Sequence, residues 1–135
     1  MTINETISYC KSLEYYSLQD FASKNYNTVY KFLHDRTSVE PNDILIPSIF
    51  TCIAIDGKLN ENEWKFISNF IGGYTYEKAV SMASEFYCEE AQNIVKGVFN
   101  TFTGEIREAY LNLCIAVLCV DKGVDGKEVE FLRSL

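Results

Sequence analysis

Cys52-Ile53-Ala54-Ile55-Asp56-Gly57-Lys58-Leu59-Asn60-Glu61-Asn62-Glu63-Trp64-Lys65-Phe66-Ile67 has a counterpart 65 residues later, Val117-Leu118-Cys119-Val120-Asp121-Lys122-Gly123-Val124-Asp125-Gly126-Lys127-Glu128-Val129-Glu130-Phe131-Leu132. Identity is confined to the pairs Asp56/Asp121, Glu63/Glu128 and Phe66/Phe131, yet the apolar positions match almost throughout. In each copy an apolar run ends on an Asp and a Gly-containing turn follows. A polar capping residue, Asn60 or Asp125, then opens an amphipathic helix. Self-similarity of this kind marks a repeated supersecondary unit, here helix, acidic turn, helix.

Outward from the repeat, helical spacing dominates. Ile3, Ile7, Cys10 and Leu13 recur at a helical period over residues 3–14. Ser17-Leu18-Gln19-Asp20 is positioned to cap a second helix, and Asn27 a third that runs through His34. Glu40-Pro41-Asn42-Asp43 reads as the start of a buried helix over about 43–56, which Pro47 should kink or delay. Further helices are expected over about 60–71 with a stop at Gly72-Gly73, from Thr75 to about Phe86, and from Glu89 to Phe102. Thr103-Gly104 breaks the chain before a second buried helix over about 105–121, and a last helix runs from Asp125 to the end. No segment alternates like a strand. The fold class expected is all-α, a bundle of about seven to eight helices with two pseudo-symmetric repeats. The two helices ending at Asp56 and Asp121 read apolar on nearly every side and belong at its centre. Residues 1–42 form an N-terminal helical extension packed on the bundle, and residues 43–135 form the repeat domain.

Bulk properties narrow the function. A chain of 135 residues, 47% hydrophobic, suits one globular core. The net charge is −7, of which −1 falls on residues 1–42 and −6 on residues 43–135. That balance disfavours nucleic acid and anionic membranes as main partners, since both need clustered Lys and Arg. The longest apolar stretch, Leu113 to Val120, is far short of the roughly 20 residues that span a bilayer. Cys10, Cys52, Cys88, Cys114 and Cys119 show no metal-ligand spacing, and Cys52, Cys114 and Cys119 lie in apolar runs where thiols behave as small hydrophobes. With no basic start or apolar core of a signal peptide in Met1-Thr2-Ile3-Asn4-Glu5, the expected location is the cytoplasm.

The acidic turns carry the candidate chemistry. Aligned on a calcium-binding EF-hand loop, Asp56, Gly57, Leu59, Asn60 and Glu63 fit the rear half, but Cys52 and Ala54 replace the front ligands. Asp121, Val124, Asp125 and Glu128 fit in the same way, with Lys122 in the Gly position and Val117 and Cys119 in front. A genuine EF-hand is rejected, because two charged ligands are missing from each loop. Helix capping accounts for much of the motif: Asn60 to Glu63 and Asp125 to Glu128 have capping-box spacing, worth about 0.5–2 kcal/mol per cap. Gly57 and Gly123 permit the turn, and Leu59 and Val124 plug it into the core. Asp56 and Asp121 fit that account less well, since each ends a helix, where the dipole disfavours an anion by roughly 0.3–1 kcal/mol. Three alternatives stay open. Each carboxylate accepts amides of its own turn or caps the following helix; the two repeats pack about a pseudo-twofold axis and bring Asp56 and Asp121 together with Glu63 or Glu128 around one divalent cation (Ca²⁺, Mg²⁺ or Mn²⁺); or the acids form a mutually perturbed catalytic pair.

Ile55-Asp56-Gly57-Lys58-Leu59-Asn60-Glu61-Asn62-Glu63 and Val120-Asp121-Lys122-Gly123-Val124-Asp125-Gly126-Lys127-Glu128 resemble the repeated Asp-Gly-x-aliphatic-polar-x-x-Glu turn of the tellurite-resistance TerB-like family. The resemblance covers about residues 43–135, and Lys122 departs from the family's Gly. It implies an all-α fold, a link to stress or tellurite resistance, and acidic residues proposed to bind metal, here Asp56, Glu63, Asp121 and Glu128. It implies no established catalysis.

Other residues yield less. His34 is the only histidine, with no second nitrogen ligand for zinc and no nucleophile motif to serve, and it reads as a surface or helix-end residue. Gly72-Gly73 lacks the Lys-Ser/Thr pair of a phosphate loop. The aromatics Tyr9, Tyr15, Tyr16, Phe21, Tyr26, Tyr30 and Phe32 should mostly pack on the bundle, with some left for a protein partner or a second copy of the chain. The function expected is a non-enzymatic interaction or sensing module, modulated by a divalent cation at the paired acidic turns. The alternatives are a small metal-dependent hydrolase using the same carboxylates, or a metal-free structural adaptor acting through the N-terminal helices.

Overall fold

The computed structural model describes residues 2–36, 41, 45, 49, 61–73, 75–85, 93, 96–97, 100–121, 129–130 and 132–133. Among these residues the regular elements are all helical, and there is no strand. The all-α expectation holds for them.

Helix α1 (Ile3–Ser12) starts at a capping box. The Glu5 N–H donates to Thr2 Oγ1 (3.1 Å) and the Thr2 N–H donates to Glu5 Oε1 (3.2 Å), so two otherwise orphaned donors are satisfied at once. The helix buries Thr6, Ile7 and Cys10 along one side and ends where Leu13 turns extended.

Helix α2 (Tyr15–Arg36) is a single helix of 22 residues. This corrects the expectation of separate helices capped at Ser17–Asp20 and at Asn27. No Gly or Pro interrupts residues 15–36, and Leu18, Ala22, Tyr26, Val29 and Leu33 form one continuous buried stripe at spacings of three and four. The polar side chains inside it bond back to the preceding turn: Asn25 Nδ2 donates to the Phe21 carbonyl (2.8 Å) and Thr28 Oγ1 donates to the Lys24 carbonyl (3.0 Å). Side chains that can cap a helix are accommodated within one when the apolar stripe runs through.

Helix α3 (Glu61–Ser68) buries Trp64, Phe66 and Ile67. It ends in a turn at Asn69 and Phe70, ahead of Gly73, whose φ of +94° is open to glycine and strained for other residues. Helix α4 (Tyr76–Glu85) opens where the sequence suggests, with Thr75 Oγ1 accepting the Lys78 N–H at 3.2 Å. Helix α5 (Gly104–Leu118) follows Thr103 and passes into a 3-10 turn, Cys119–Asp121. Its first residue, Gly104, has φ +55°, which explains the break expected at Thr103-Gly104.

Helix α5 is the centre of the described fold. Every residue from Leu113 to Leu118 is buried, so all sides of the helix face protein. It packs most broadly on α2, and also meets α1 and α3. One cluster of buried side chains runs from Ile7 and Cys10 of α1 through α2, α3 and α5 and takes in Leu45, Ile49 and Leu132. Aromatic rings knit its layers: Phe66 lies 5.9 Å from Tyr15, Phe70 lies 5.3 Å from Tyr26, and Phe102 lies 5.5 Å from Tyr110. In the α2–α5 interface, Asn112 Nδ2 donates to Asn25 Oδ1 at 3.3 Å. Of the buried helix expected over 43–56, Leu45 and Ile49 are helical and buried, and Pro47 lies outside the described residues. Among the described residues, no helix is long and apolar enough to cross a membrane.

Candidate functional site

The acidic set is described only in part. Glu63 stands in the first turn of α3, half-buried and already engaged by a neighbour. A carboxylate there is favoured by the helix dipole. Asp121 closes the 3-10 turn, with its side chain outside the described residues, as are Asp56 and Glu128 entirely. The capping residues Asn60 and Asp125, the turn glycines Gly57 and Gly123 and the plugs Leu59 and Val124 also lie outside them. The structure does make α3 and the Cys119–Asp121 turn direct neighbours. The helix that follows the first acidic turn therefore packs against the backbone that leads into the second. No group of three or more His, Cys, Asp or Glu side chains forms a metal-sized cluster among the described residues, of which Glu63 is the one complete member of the acidic set.

His34 is exposed near the end of α2, 3.6 Å from Asp35 and stacked on Tyr30. Arg36 is the last residue of the same helix, its guanidinium 4.6 Å from the Phe32 ring centre. These contacts suit a surface helix end.

A more complete site lies at the α1–α2 corner. Of the seven N-terminal aromatics, Tyr26 is buried, Phe21, Tyr30 and Phe32 are half-buried, and Tyr9, Tyr15 and Tyr16 are exposed by 42%, 43% and 81%. Tyr9 meets Phe21 edge-on at 5.4 Å, and the two rings with Leu13 and Tyr16 line a groove of about 400 Å³. Ser17, Asp20 and Lys24 form its polar side, where Lys24 Nζ lies 3.2 Å from Asp20 Oδ2. Each element of the groove has a local cause. The capped α1 holds Tyr9, and the unbroken α2 sets Tyr16, Asp20 and Lys24 one turn apart on its outer face. Rings with an apolar body and a wet hydroxyl suit contact with another protein surface. The density of aromatics was visible in the sequence, but which of them face solvent depends on the stripes buried by α1 and α2.

A second grouping joins distant parts of the chain. Cys10 of α1 and Cys119 of the 3-10 turn are both buried, and their thiols are hydrogen-bonded to each other. That contact first, and burial second, push the Cys10 thiol well above its ordinary value. Nothing in the spacing of the five cysteines marks this pair, because only the packing of α1 on the end of α5 brings them together.

In comparisons with known proteins, no protein family, curated protein or solved structure matches the chain. The functional reading rests on its own residues.

Proposed function

We propose that this chain is a non-enzymatic interaction and sensing module of the TerB-like type, docking through the tyrosine groove at the α1–α2 corner. The single observation that carries the reading is that groove: two exposed tyrosines, Tyr9 and Tyr16, lining a half-apolar hollow beside a helix whose other face is locked into the core. The occupant we favour is a second copy of the chain. Asp20 and Lys24 stand one turn apart on the exposed side of α2, so a twofold, antiparallel pairing of two α2 helices sets each Lys24 against the other copy's Asp20. The same pairing offers Tyr16, the most exposed ring, to the opposite groove. Sedimentation velocity over a concentration series tests this. Dimer should form and be weakened by Tyr16→Ala, by Lys24→Asp and by Asp20→Lys, with the two charge variants restoring a heterodimer when mixed. A chain that stays monomeric at about 100 μM, well above the micromolar range of modest interfaces, removes self-association.

The second part of the reading is cation sensing. In it, residues 43–135 complete a bundle of about seven to eight helices in which the two repeats are related by a pseudo-twofold axis, and Asp56, Glu63, Asp121 and Glu128 share one divalent cation. The packing of α3 on the Cys119–Asp121 turn supports this arrangement. The resemblance of both turns to the TerB-like pattern supports it independently and links the protein to a cytoplasmic stress or tellurite response. The test is a thermal melt of chelator-stripped protein titrated separately with Ca²⁺, Mg²⁺ and Mn²⁺. A site filled at 100 times its dissociation constant adds about 2.7 kcal/mol, and Asp56→Asn or Asp121→Asn should abolish the shift. Flat titrations with all three cations would leave the turns as helix caps.

A further inference from the structure

We propose that the groove at the α1–α2 corner is a binding site for a small zwitterion, one that carries a methylated ammonium group one carbon away from a carboxylate. Three aromatic rings line it, Tyr9 from α1 and Tyr16 and Phe21 from α2, with Leu13 supplied by the link between the two helices. On its polar side stand Asp20 and Lys24, a carboxylate and an ammonium group 3.2 Å apart. Its volume of about 400 Å³ falls in the range that takes small ligands. Aromatic faces attract a cation through the negative potential of the ring. A methylated ammonium suits them best, because its charge is spread over carbon and it gives up little water on contact. Tyr9 and Tyr16 are exposed and open to such a ligand.

The charge pattern selects the rest of the ligand. A lone cation meets Asp20 but is opposed by Lys24, and a lone anion meets the reverse. A short zwitterion lies alongside the pair head to tail, its ammonium beside Asp20 and the rings, its carboxylate beside Lys24. The Asp20–Lys24 pair is itself held loosely, since both side chains are largely exposed and such pairs contribute little. It therefore parts for a ligand at small cost. Tyr16, Asp20 and Lys24 follow one another at intervals of four, so ring, acid and base stand in a row on a helix anchored by its buried stripe. Binding rests on the groove alone. Its consequence rests on the self-association reading above: a ligand on Tyr16, Asp20 and Lys24 occupies the groups that pair two copies, and so drives dimer to monomer.

The experiment titrates glycine betaine into the full chain and follows amide chemical shifts, at a protein concentration where sedimentation shows monomer. Shifts should concentrate around Tyr9, Tyr16, Asp20 and Lys24. They should saturate with a dissociation constant on the order of 10 mM or tighter, as expected for a ligand of about eight heavy atoms. Two controls, 3,3-dimethylbutanoate (the same shape without the cation) and glycine (without the methyl groups), should each bind several-fold more weakly. Tyr9→Ala and Tyr16→Ala should each weaken betaine about two- to fivefold. Lys24→Gln should weaken betaine yet strengthen tetramethylammonium, which keeps the cation and lacks the carboxylate, whereas Asp20→Asn should weaken both. The proposal is overturned if betaine gives no saturable shift, if dimethylbutanoate matches it, or if Asp20→Asn binds it as the unmodified chain does. Sedimentation with and without betaine separates this site from the dimer. Binding by a chain that never dimerises supports the site and removes self-association. A dimer in a chain whose monomer gives no betaine shifts removes the site alone, and a dimer that persists with betaine saturating the groove overturns the competition.

Discussion

Helices α2 and α5 pack along each other, yet they divide the work of the molecule differently. Helix α5 is buried on all sides from Leu113 to Leu118, whereas α2 buries a stripe of five residues and leaves Tyr15, Tyr16, Asp20 and Lys24 in solvent. A helix enclosed on every side has no surface left to evolve for recognition. A helix held by one stripe has most of its circumference to spare. The contrast places the enclosed core in α5 and, on the proposed reading, the docking face in α2, with the short α1 packed against α5.

The sharpest way to break that contrast is to truncate a side chain at the centre. Leu113→Ala, at a position with no exposure, should cost about 2–5 kcal/mol, read as a lower urea midpoint. A loss below about 1 kcal/mol would mean that α5 is not the central helix. Next in size is the edge: Thr2→Ala removes the capping box and should cost about 1 kcal/mol, with amide exchange speeding up in α1 more than in α5. Global destabilisation with uniform exchange would instead make α1 part of the same cooperative unit as the core.

Acid should act on the same edge more gently. The hydrogen bonds from Thr2 hold the Glu5 carboxyl below its ordinary value, so the folded chain releases that proton more readily than the unfolded one. Its contribution is therefore fully present above the ordinary carboxylate range and fades as pH falls through the lowered value. Exchange in α1 should rise over that acid window, and Glu5→Gln should flatten the response. The smallest expected effect on stability is that of Tyr16→Ala, within about 0.5 kcal/mol, because the ring is 81% exposed. The same substitution should be among the most damaging to self-association. Large destabilisation by Tyr16→Ala would show that the ring is structural and would erase the distinction between the two helices.

Much of this architecture was legible in the sequence for reasons that can be named. An unbroken apolar run with no polar face leaves only a central position for α5, and Thr75 and the Thr103-Gly104 pair mark helix starts through their own chemistry. Helix α2 misleads because Ser and Asn can either cap a helix or bond back within it. The choice was made by the stripe from Leu18 to Leu33, which is recognised only when read across Asn27 as one pattern. The candidate sites fared less evenly. The tyrosine cluster was visible, but the exposure of Tyr15 and Tyr16 follows from how α2 is rotated and that of Tyr9 from the face that α1 buries. The Cys10–Cys119 contact leaves no trace in local spacing, because it exists only through tertiary packing. The acidic repeat was the plainest pattern of all, and of it the described residues carry Glu63 and the backbone of Asp121.

The Asn25–Asn112 hydrogen bond joins α2 and α5, and both amides are half-buried. Hydrocarbon alone tolerates sliding, because one leucine-sized knob fits a neighbouring hole nearly as well. An amide pair does not, since moving α2 by one turn would separate the two amides and break the bond between them. This pair acts as a register key: it adds little to the depth of the native well but removes the neighbouring wells. The tyrosine groove, carried on the outside of α2, has its height along the bundle keyed by that amide contact together with the buried stripe.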